Sequence, residues 1–129
     1  MGAIAHILVV DDDPMTIDIC KTYLTASGYE ITGVFTTAQA QASLEEKPAD
    51  LVLLDVHMPN ETGLVFLQRI RGDWPDLPVV LITGHPGIQT VVQAMKLNVV
   101  AYLVKPFPPS ELRQTVEKAL HEYAVDDQT

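Results

Sequence analysis

The sequence is poor in cysteine, in basic side chains and in long apolar runs. Its one cysteine, Cys20, excludes an internal disulfide and favours a reducing compartment, and its simplest interpretation is a small core residue on a helix. Lysine and arginine number 8 against 17 acidic residues, and the formal net charge of −9 argues against nucleic-acid binding by this domain. No run is long enough to cross a bilayer, and the first residues lack the basic start of a signal peptide. We therefore expect a cytoplasmic protein that does not bind membranes and that suits a cation or a basic protein partner.

Apolar runs alternate along the chain with stretches of helical periodicity. With 129 residues, 47% of them hydrophobic, the chain fits a single domain over 1–129, with a core over about 6–123 and a polar, frayed tail over 124–129. The alternation predicts an α/β fold: a flavodoxin-like, doubly wound, five-stranded parallel sheet with five helices and strand order 2-1-3-4-5. The second strand is less apolar and contains Gly33, so we place it at an edge. The predicted strands are 7–10, 31–35, 51–54, 79–82 and 99–104.

Capping and stop signals mark several helix ends. Pro14 suits the first turn of the first helix, and Gly28 suits its C-terminal stop. Thr36 or Thr37 is the expected N-cap of the second helix, and Ser110 that of the fifth. Apolar spacing predicts the third and fourth helices over 64–70 and 88–95.

Polar side chains follow the predicted strands at their C-terminal ends. The most informative is Asp55, which closes the apolar run 51–54. Asp11 and Asp12 follow the first strand, Thr83 ends the fourth, and Lys105 follows the fifth. Because open α/β sheets build their sites beyond the carboxyl ends of the strands, we expect these five side chains to converge at one edge of the sheet.

Clustered carboxylates repel one another, and a hard divalent cation relieves that repulsion. Asp11, Asp12 and Asp55, with a backbone carbonyl, suit the oxygen-rich coordination of Mg²⁺ rather than a closed zinc site. His57 and His85 leave a transition-metal site as an alternative, although each is single in its loop. A carboxylate beside Mg²⁺, a hydroxyl and an ammonium is arranged for phosphoryl transfer, with an acyl phosphate on aspartate as the product.

Four short motifs bring the chain close to a known family. They are Val9-Val10-Asp11-Asp12-Asp13, Asp55-Val56-His57-Met58-Pro59, Thr83-Gly84 and Lys105-Pro106-Phe107. In this order and at strand ends, they make the chain resemble the receiver domain of two-component response regulators, from about His6 to Tyr123.

The resemblance implies a role for each site residue. Asp55 matches the phosphoacceptor; Asp11, Asp12, Asp55 and the backbone carbonyl of His57 match the Mg²⁺ ligands. Thr83 matches the switch hydroxyl, Lys105 the amine that pairs with the phosphoryl group, and Tyr102 an aromatic that changes rotamer as Thr83 moves. The Lys105–Pro106 peptide is expected to be cis. For Asp13, outside the acidic pair of the family, a helix N-terminus is the competing interpretation, and for Tyr102 a half-buried strand position.

The resemblance also implies partners and an output. A sensor histidine kinase or a phosphotransfer protein would donate the phosphoryl group, and the surface of the fourth helix, fifth strand and fifth helix would control an output domain, a partner or a homodimer. Two features depart from the family pattern. Asn98 stands in a turn where the family often has glycine, and His57 and His85 occupy variable positions that tune the phosphoryl lifetime.

Two other functions are compatible with parts of this pattern. One is a hydrolase with an aspartyl-phosphate intermediate, resembling haloacid dehalogenases, but these place a second acid where this chain has His57. The other is an interaction module that works without phosphorylation, which the complete set of acids, threonine and lysine disfavours.

Overall fold

The strands form a parallel sheet in which burial follows strand position. The computed structural model describes residues 4–58, 61–84 and 87–128. The strands, numbered along the chain, lie in the order 2-1-3-4-5, which confirms the predicted fold. The three inner strands are buried along their whole length, as expected for strands covered by helices on both faces. The two edge strands are more exposed. The strands are β1 (His6–Val10), β2 (Glu30–Val34), β3 (Leu51–Asp55), β4 (Val79–Thr83) and β5 (Ala101–Val104).

Five helices cover the two faces of the sheet and make two cores. They are α1 (Pro14–Ala26), α2 (Thr37–Glu46), α3 (Gly63–Asp73), α4 (Ile88–Lys96) and α5 (Pro109–Gln128). On one face, side chains of α2, α3 and α4, such as Phe66, pack on alternate strand residues that include Leu54. On the other face, α1 and α5 pack on the remaining residues, and Cys20 is buried there. None of the described helices combines the length and apolar character needed to span a bilayer.

Side-chain caps mark the start of three of the helices, α1, α2 and α3, and left-handed residues follow the ends of two helices. Asp13 caps α1, where its carboxylate accepts a hydrogen bond from the Met15 N–H at 3.0 Å. Thr36 caps α2, as predicted. Gly28 follows α1 with φ of 98°, and Asn98 follows α4 with φ of 60°. Asn98 therefore takes the left-handed conformation that asparagine tolerates better than most residues.

Several predicted boundaries need correction. Ser110 is not the N-cap of α5: the helix begins at Pro109, and the Leu112 N–H already donates to the Pro108 carbonyl at 3.1 Å. Proline is favoured at the first helical position because its missing N–H has no helical partner there. β2 and β5 are shifted or shortened by one or two residues relative to the predicted strands. The backbone of α5 is helical to Gln128, which includes most of the segment predicted as a frayed tail.

Register aligns the carboxyl ends of the strands. Val10 is paired with both Val34 and Leu54, so the residues after β1 lie beside the end of β3. On the other side, Thr83 at the end of β4 is paired with Val104 at the end of β5. This alignment brings residues that are far apart in sequence to one edge of the sheet.

Candidate functional site

Two buried carboxylates form the centre of the site. Asp11 follows β1 with no exposed surface, and Asp55 ends β3 with 3% of its surface exposed. The backbone N–H two residues further on orients each of them in the same way. Asp13 N–H donates to Asp11 Oδ1 and His57 N–H donates to Asp55 Oδ1, both at 2.9 Å. The two acids are thus held by their own loops, as in an Asx turn.

Asp12 completes an acidic cluster with a suitable geometry for a cation. One carboxylate oxygen from each of Asp11, Asp12 and Asp55 lies within 4.8 Å of the other two, and Asp12 is exposed to solvent. Asp11 Oδ2 is buried, and the Lys105 ammonium lies 2.8 Å from it. A cluster made only of carboxylate oxygens fits the preference of Mg²⁺ for hard ligands and retained waters.

Lys105 is the cation that the chain itself supplies. Its Nζ lies 2.8 Å from Asp11 Oδ2, as an ion pair, and donates a hydrogen bond to Asp55 Oδ2 at 3.2 Å. Its backbone N–H donates to the Thr83 carbonyl at 2.8 Å, which fixes the start of its loop to β4. The Lys105–Pro106 peptide is cis, as expected.

Burial and neighbouring charges shift the pKa values of Asp11 and Lys105. Burial raises the pKa of Asp11 from 3.8 to about 6; the Asp55 charge adds to this, and the Lys105 ammonium and the Asp13 N–H oppose it. Burial alone would lower the pKa of Lys105, but the carboxylates of Asp11 and Asp55 outweigh it, so the pKa is raised. The amine therefore stays charged at neutral pH.

The other predicted site residues differ in their environments. Thr83 is buried at the end of β4, while Tyr102 on β5 is 45% exposed. The His57 side chain is exposed, and its backbone N–H binds Asp55. His85 lies outside the described residues. Within residues 4–58, 61–84 and 87–128, the group able to hold a metal consists of carboxylates without a histidine, so the transition-metal alternative has no support there.

Gly63, to which the sequence pattern assigned no role, packs against the backbone of Asp55 and Val56. Gly63 begins α3 and donates its N–H to the Val56 carbonyl at 2.7 Å. A Cβ atom at this position would lie 2.3 Å from the backbone oxygen of Asp55 and 2.8 Å from Val56 Cα. No side chain fits there, so glycine lets α3 pack directly on the peptide that carries Asp55. A glycine at the junction of the acidic loop and a helix was the available signal.

The fold and the acidic edge define a class of protein, a doubly wound domain with an acidic cluster that could hold a cation beside a buried, lysine-paired aspartate. The family model of the response regulator receiver domain matches residues 7–117. The chain belongs to this family, whose members act as signalling switches and generally bind Mg²⁺.

Curated relatives agree with this assignment. The transcriptional regulatory protein ZraR of Escherichia coli K12 is 36% identical over 124 residues, which are 95% of this chain and 28% of ZraR. The luminescence regulatory protein LuxO of Vibrio campbellii is 35% identical over 112 residues, 87% of this chain and 25% of LuxO. The chain thus spans only about a quarter of the length of these relatives.

Solved structures show the same fold. A CheY-like receiver domain from Methanospirillum hungatei has a TM-score of 0.92 at 27% identity, covering 96% of this chain and 99% of that one. The receiver domain of NtrX from Brucella abortus has a TM-score of 0.84 at 34% identity, covering 89% and 98%.

Proposed function

We propose that this chain is a phosphorylation-dependent switch whose phosphoacceptor is Asp55. One observation carries the proposal: the Asp55 carboxylate is buried at a strand end, 3.2 Å from the Lys105 ammonium and clustered with oxygens of Asp11 and Asp12. A carboxylate can act as a nucleophile toward phosphorus if the charge of the incoming group is compensated. The Lys105 ammonium supplies one compensating positive charge, and the carboxylates are ligands for a second, a bound cation.

The side chains of Asp11, Asp12 and Asp55 and the backbone carbonyl of His57 are the proposed ligands of Mg²⁺. When bound, Mg²⁺ neutralises charge on the phosphoryl oxygens. An Asp55 oxygen attacks phosphorus and forms the new P–O bond. The P–N bond of a phosphohistidine donor, or the P–O bond of a small acyl phosphate, breaks and leaves its electron pair on the donor. Lys105 then pairs with the oxygens of the new acyl phosphate, and water later hydrolyses it.

The added phosphoryl group biases a conformational equilibrium. It carries about −1.5 to −2 charges, which the Thr83 hydroxyl and Lys105 bind better in one conformation than in the other. In this proposal Tyr102 changes rotamer with Thr83. A coupling of about 1–3 kcal/mol would change the affinity for a partner roughly 5–150-fold.

The output surface proposed is that of α4, β5 and α5. Exposed apolar side chains on α4 and β5 support it, because exposed apolar surface is a feature of interaction sites. They are Val92, Met95, Tyr102 and Val104. This surface would control an output domain or a separate partner, or form a homodimer. The upstream partner would be a sensor histidine kinase or phosphotransfer protein in the cytoplasm, and the domain itself would not bind nucleic acid.

His57 and His85 are proposed to tune the lifetime of the phosphoryl group. The exposed His57 side chain follows Asp55 by two residues, and His85 follows Thr83 by two. An imidazole at either position can orient or exclude the attacking water. The rate of Asp55 dephosphorylation in His57→Ala and His85→Ala variants tests this, and unchanged rates in both would contradict it.

Labelling with acetyl phosphate and Mg²⁺ tests the proposed function. Intact-mass measurement should show one phosphoryl group on the wild-type protein and none when EDTA is present during labelling. Asp55→Asn should carry none. Asp50→Asn is the control, because Asp50 lies at the opposite end of β3 and binds the His6 N–H. Labelling of Asp55→Asn at another aspartate would show that the assignment is wrong. Rapid turnover of acetyl phosphate without a stable adduct would favour the hydrolase. The absence of both labelling and turnover would favour the interaction module.

A further inference from the structure

The two ends of α4 are held very differently. The N-caps of α1, α2 and α3 accept hydrogen bonds through side-chain oxygens, but the N-cap of α4 is Gly87, which has no side chain to do so. At the other end, the N–H groups of Leu97 and Asn98 donate to the carbonyls of Ala94 and Met95 at 3.0 and 3.1 Å. Within the described residues, hydrogen bonds thus close the C-terminal end of α4, and the residue at its N-cap contributes none through a side chain.

Arg71 adds a connection from another helix to this C-terminal end. From the last turn of α3, its Nε donates to the Leu97 carbonyl at 2.6 Å and its Nη2 to the Asn98 carbonyl at 3.4 Å. The same guanidinium reaches back, through Nη1, to the Trp74 carbonyl at 3.1 Å. One planar cation thus ties the C-terminal ends of α3 and α4 together, where both helix dipoles favour positive charge.

Apolar packing reinforces the connection. Trp74, Leu97 and Val99 are partly buried and pack on the same core, the one that also contains Ile70 one position before Arg71. The turn after α3 and the turn after α4 therefore pack against the same core, and the hydrogen bonds of Arg71 connect the two turns.

We propose that Arg71 is a positioning residue that fixes the C-terminal end of α4, so that a displacement starting at Thr83 swings the helix about Leu97 and Asn98. The inference rests on the proposed phosphorylation switch. The signal enters through the segment that joins Thr83 to the N-terminal end of α4, which is the end without a side-chain cap. A helix held at one end rotates about it, whereas a helix free at both ends shifts as a whole.

Hydrogen exchange of backbone amides, with and without acetyl phosphate and Mg²⁺, tests the proposal. Arg71→Met removes the guanidinium, and Arg71→Lys keeps the charge but loses the fork that reaches carbonyls on both sides. Lys96→Met is the matched control, because it removes an exposed charge from the last turn of α4. Phosphoryl incorporation is measured on every sample by intact mass.

In the wild type, phosphorylation should change the exchange rates of the amides of 88–92. The exchange rates of the amides of 97–99 should stay within about twofold of those of the unmodified protein. In Arg71→Met and Arg71→Lys the amides of 97–99 should exchange about tenfold faster, as expected for loss of one charge-assisted hydrogen bond, and should respond to phosphorylation. Lys96→Met should behave as the wild type.

Equal responses at both ends of α4 in the wild type would overturn the proposal even if the Arg71 variants failed to fold. Unchanged exchange at 97–99 in folded Arg71→Met would also overturn it. A wild-type protein that takes up no phosphoryl group would instead contradict the proposed function, and the comparison of the unmodified proteins would still decide whether Arg71 is the anchor.

Discussion

Lys105 Nζ lies closer to Asp11, at 2.8 Å, than to Asp55, at 3.2 Å. The ammonium thus lies between the two buried acids and neutralises part of their mutual repulsion. The arrangement also leaves Asp55 the less tightly paired of the two. A phosphoryl group on Asp55 would draw the ammonium away from Asp11, so the same cation stabilises the resting site and the modified one.

Replacing Lys105 by methionine should destabilise the protein most when metal is absent. Two neighbouring buried carboxylates would then lack their shared cation, and removal of one partner from a buried charged group typically costs several kcal/mol. We expect a lower Tm in EDTA and a larger rise in Tm on adding Mg²⁺ than in the wild type. Thermal unfolding followed by circular dichroism measures both.

Lys47→Met is the control for this experiment. Lys47 forms an ion pair with Glu30 in which both side chains are half exposed, and such pairs contribute little. A similar loss of Tm in both variants, with no difference in the Mg²⁺ response, would contradict the role given to Lys105.

Stability without metal should fall as the pH rises from 4 to about 6.5, in part through Asp11. Its pKa is about 6 in the folded protein because of burial, against 3.8 for the ordinary group. Between these values the folded state binds more protons than the unfolded state, so the free energy of unfolding decreases with rising pH. Asp11→Asn removes this titration and keeps an acceptor for the Asp13 N–H.

Urea unfolding in EDTA at several pH values measures the difference between the two proteins. Above pH 6.5 the asparagine variant should be more stable than the wild type by roughly 1–3 kcal/mol, and this advantage should disappear near pH 4. A constant difference across the range would show that Asp11 does not titrate as described.

The central strands were predictable because burial on both faces leaves an uninterrupted apolar run. The convergence of Asp11 and Asp55 was also predictable, since parallel strands end at one edge. The edge strands and the start of α5 differ from the predicted bounds by one or two residues, because exposure and proline chemistry allow such a shift. For Asp13 the competing interpretation, a position at a helix N-terminus, is confirmed, because its side chain caps α1.

Other features depend on distances that no local pattern encodes. The bonds from Arg71 to the end of α4 span 26 and 27 residues, and they require two helices to end side by side. The preference of Lys105 for Asp11 depends on how the loop after β5 lies over the sheet. Such contacts follow from packing. In the sequence alone, an arginine at the C-terminal end of a helix indicates only a favourable interaction with the helix dipole.

Cys20 should be unreactive at pH 8 while the protein is folded. Burial raises the pKa of its thiol to about 12, with a further contribution from the Asp11 charge that Lys105 opposes, and the residue has no exposed surface. Because the thiolate is the reactive form, modification by a disulfide reagent should be at least about 100-fold slower than in urea. Fast, complete modification of the folded protein would show that the α1 face of the core opens readily.

Substitution of Gly63 by alanine should damage both the fold and the site. The new methyl group would meet the backbone of Asp55 at 2.3 Å, and backbone cannot rotate away as a side chain can. We expect a loss of about 1–3 kcal/mol in the free energy of unfolding, the usual result of overpacking. Displacement of the peptide after Asp55 should also move the His57 N–H and carbonyl, so Mg²⁺ should bind more weakly.

Gly72→Ala, on the same helix, separates this effect from helix propensity. A Cβ at Gly72 meets no atom within 4 Å, so alanine should be neutral or add up to about 1 kcal/mol of stability. Mg²⁺ titration followed by calorimetry, with urea unfolding of the three proteins, measures both effects. If Gly63→Ala bound Mg²⁺ as tightly as Gly72→Ala, α3 would not set the position of the Asp55 loop, and close packing behind the acid would matter for stability alone.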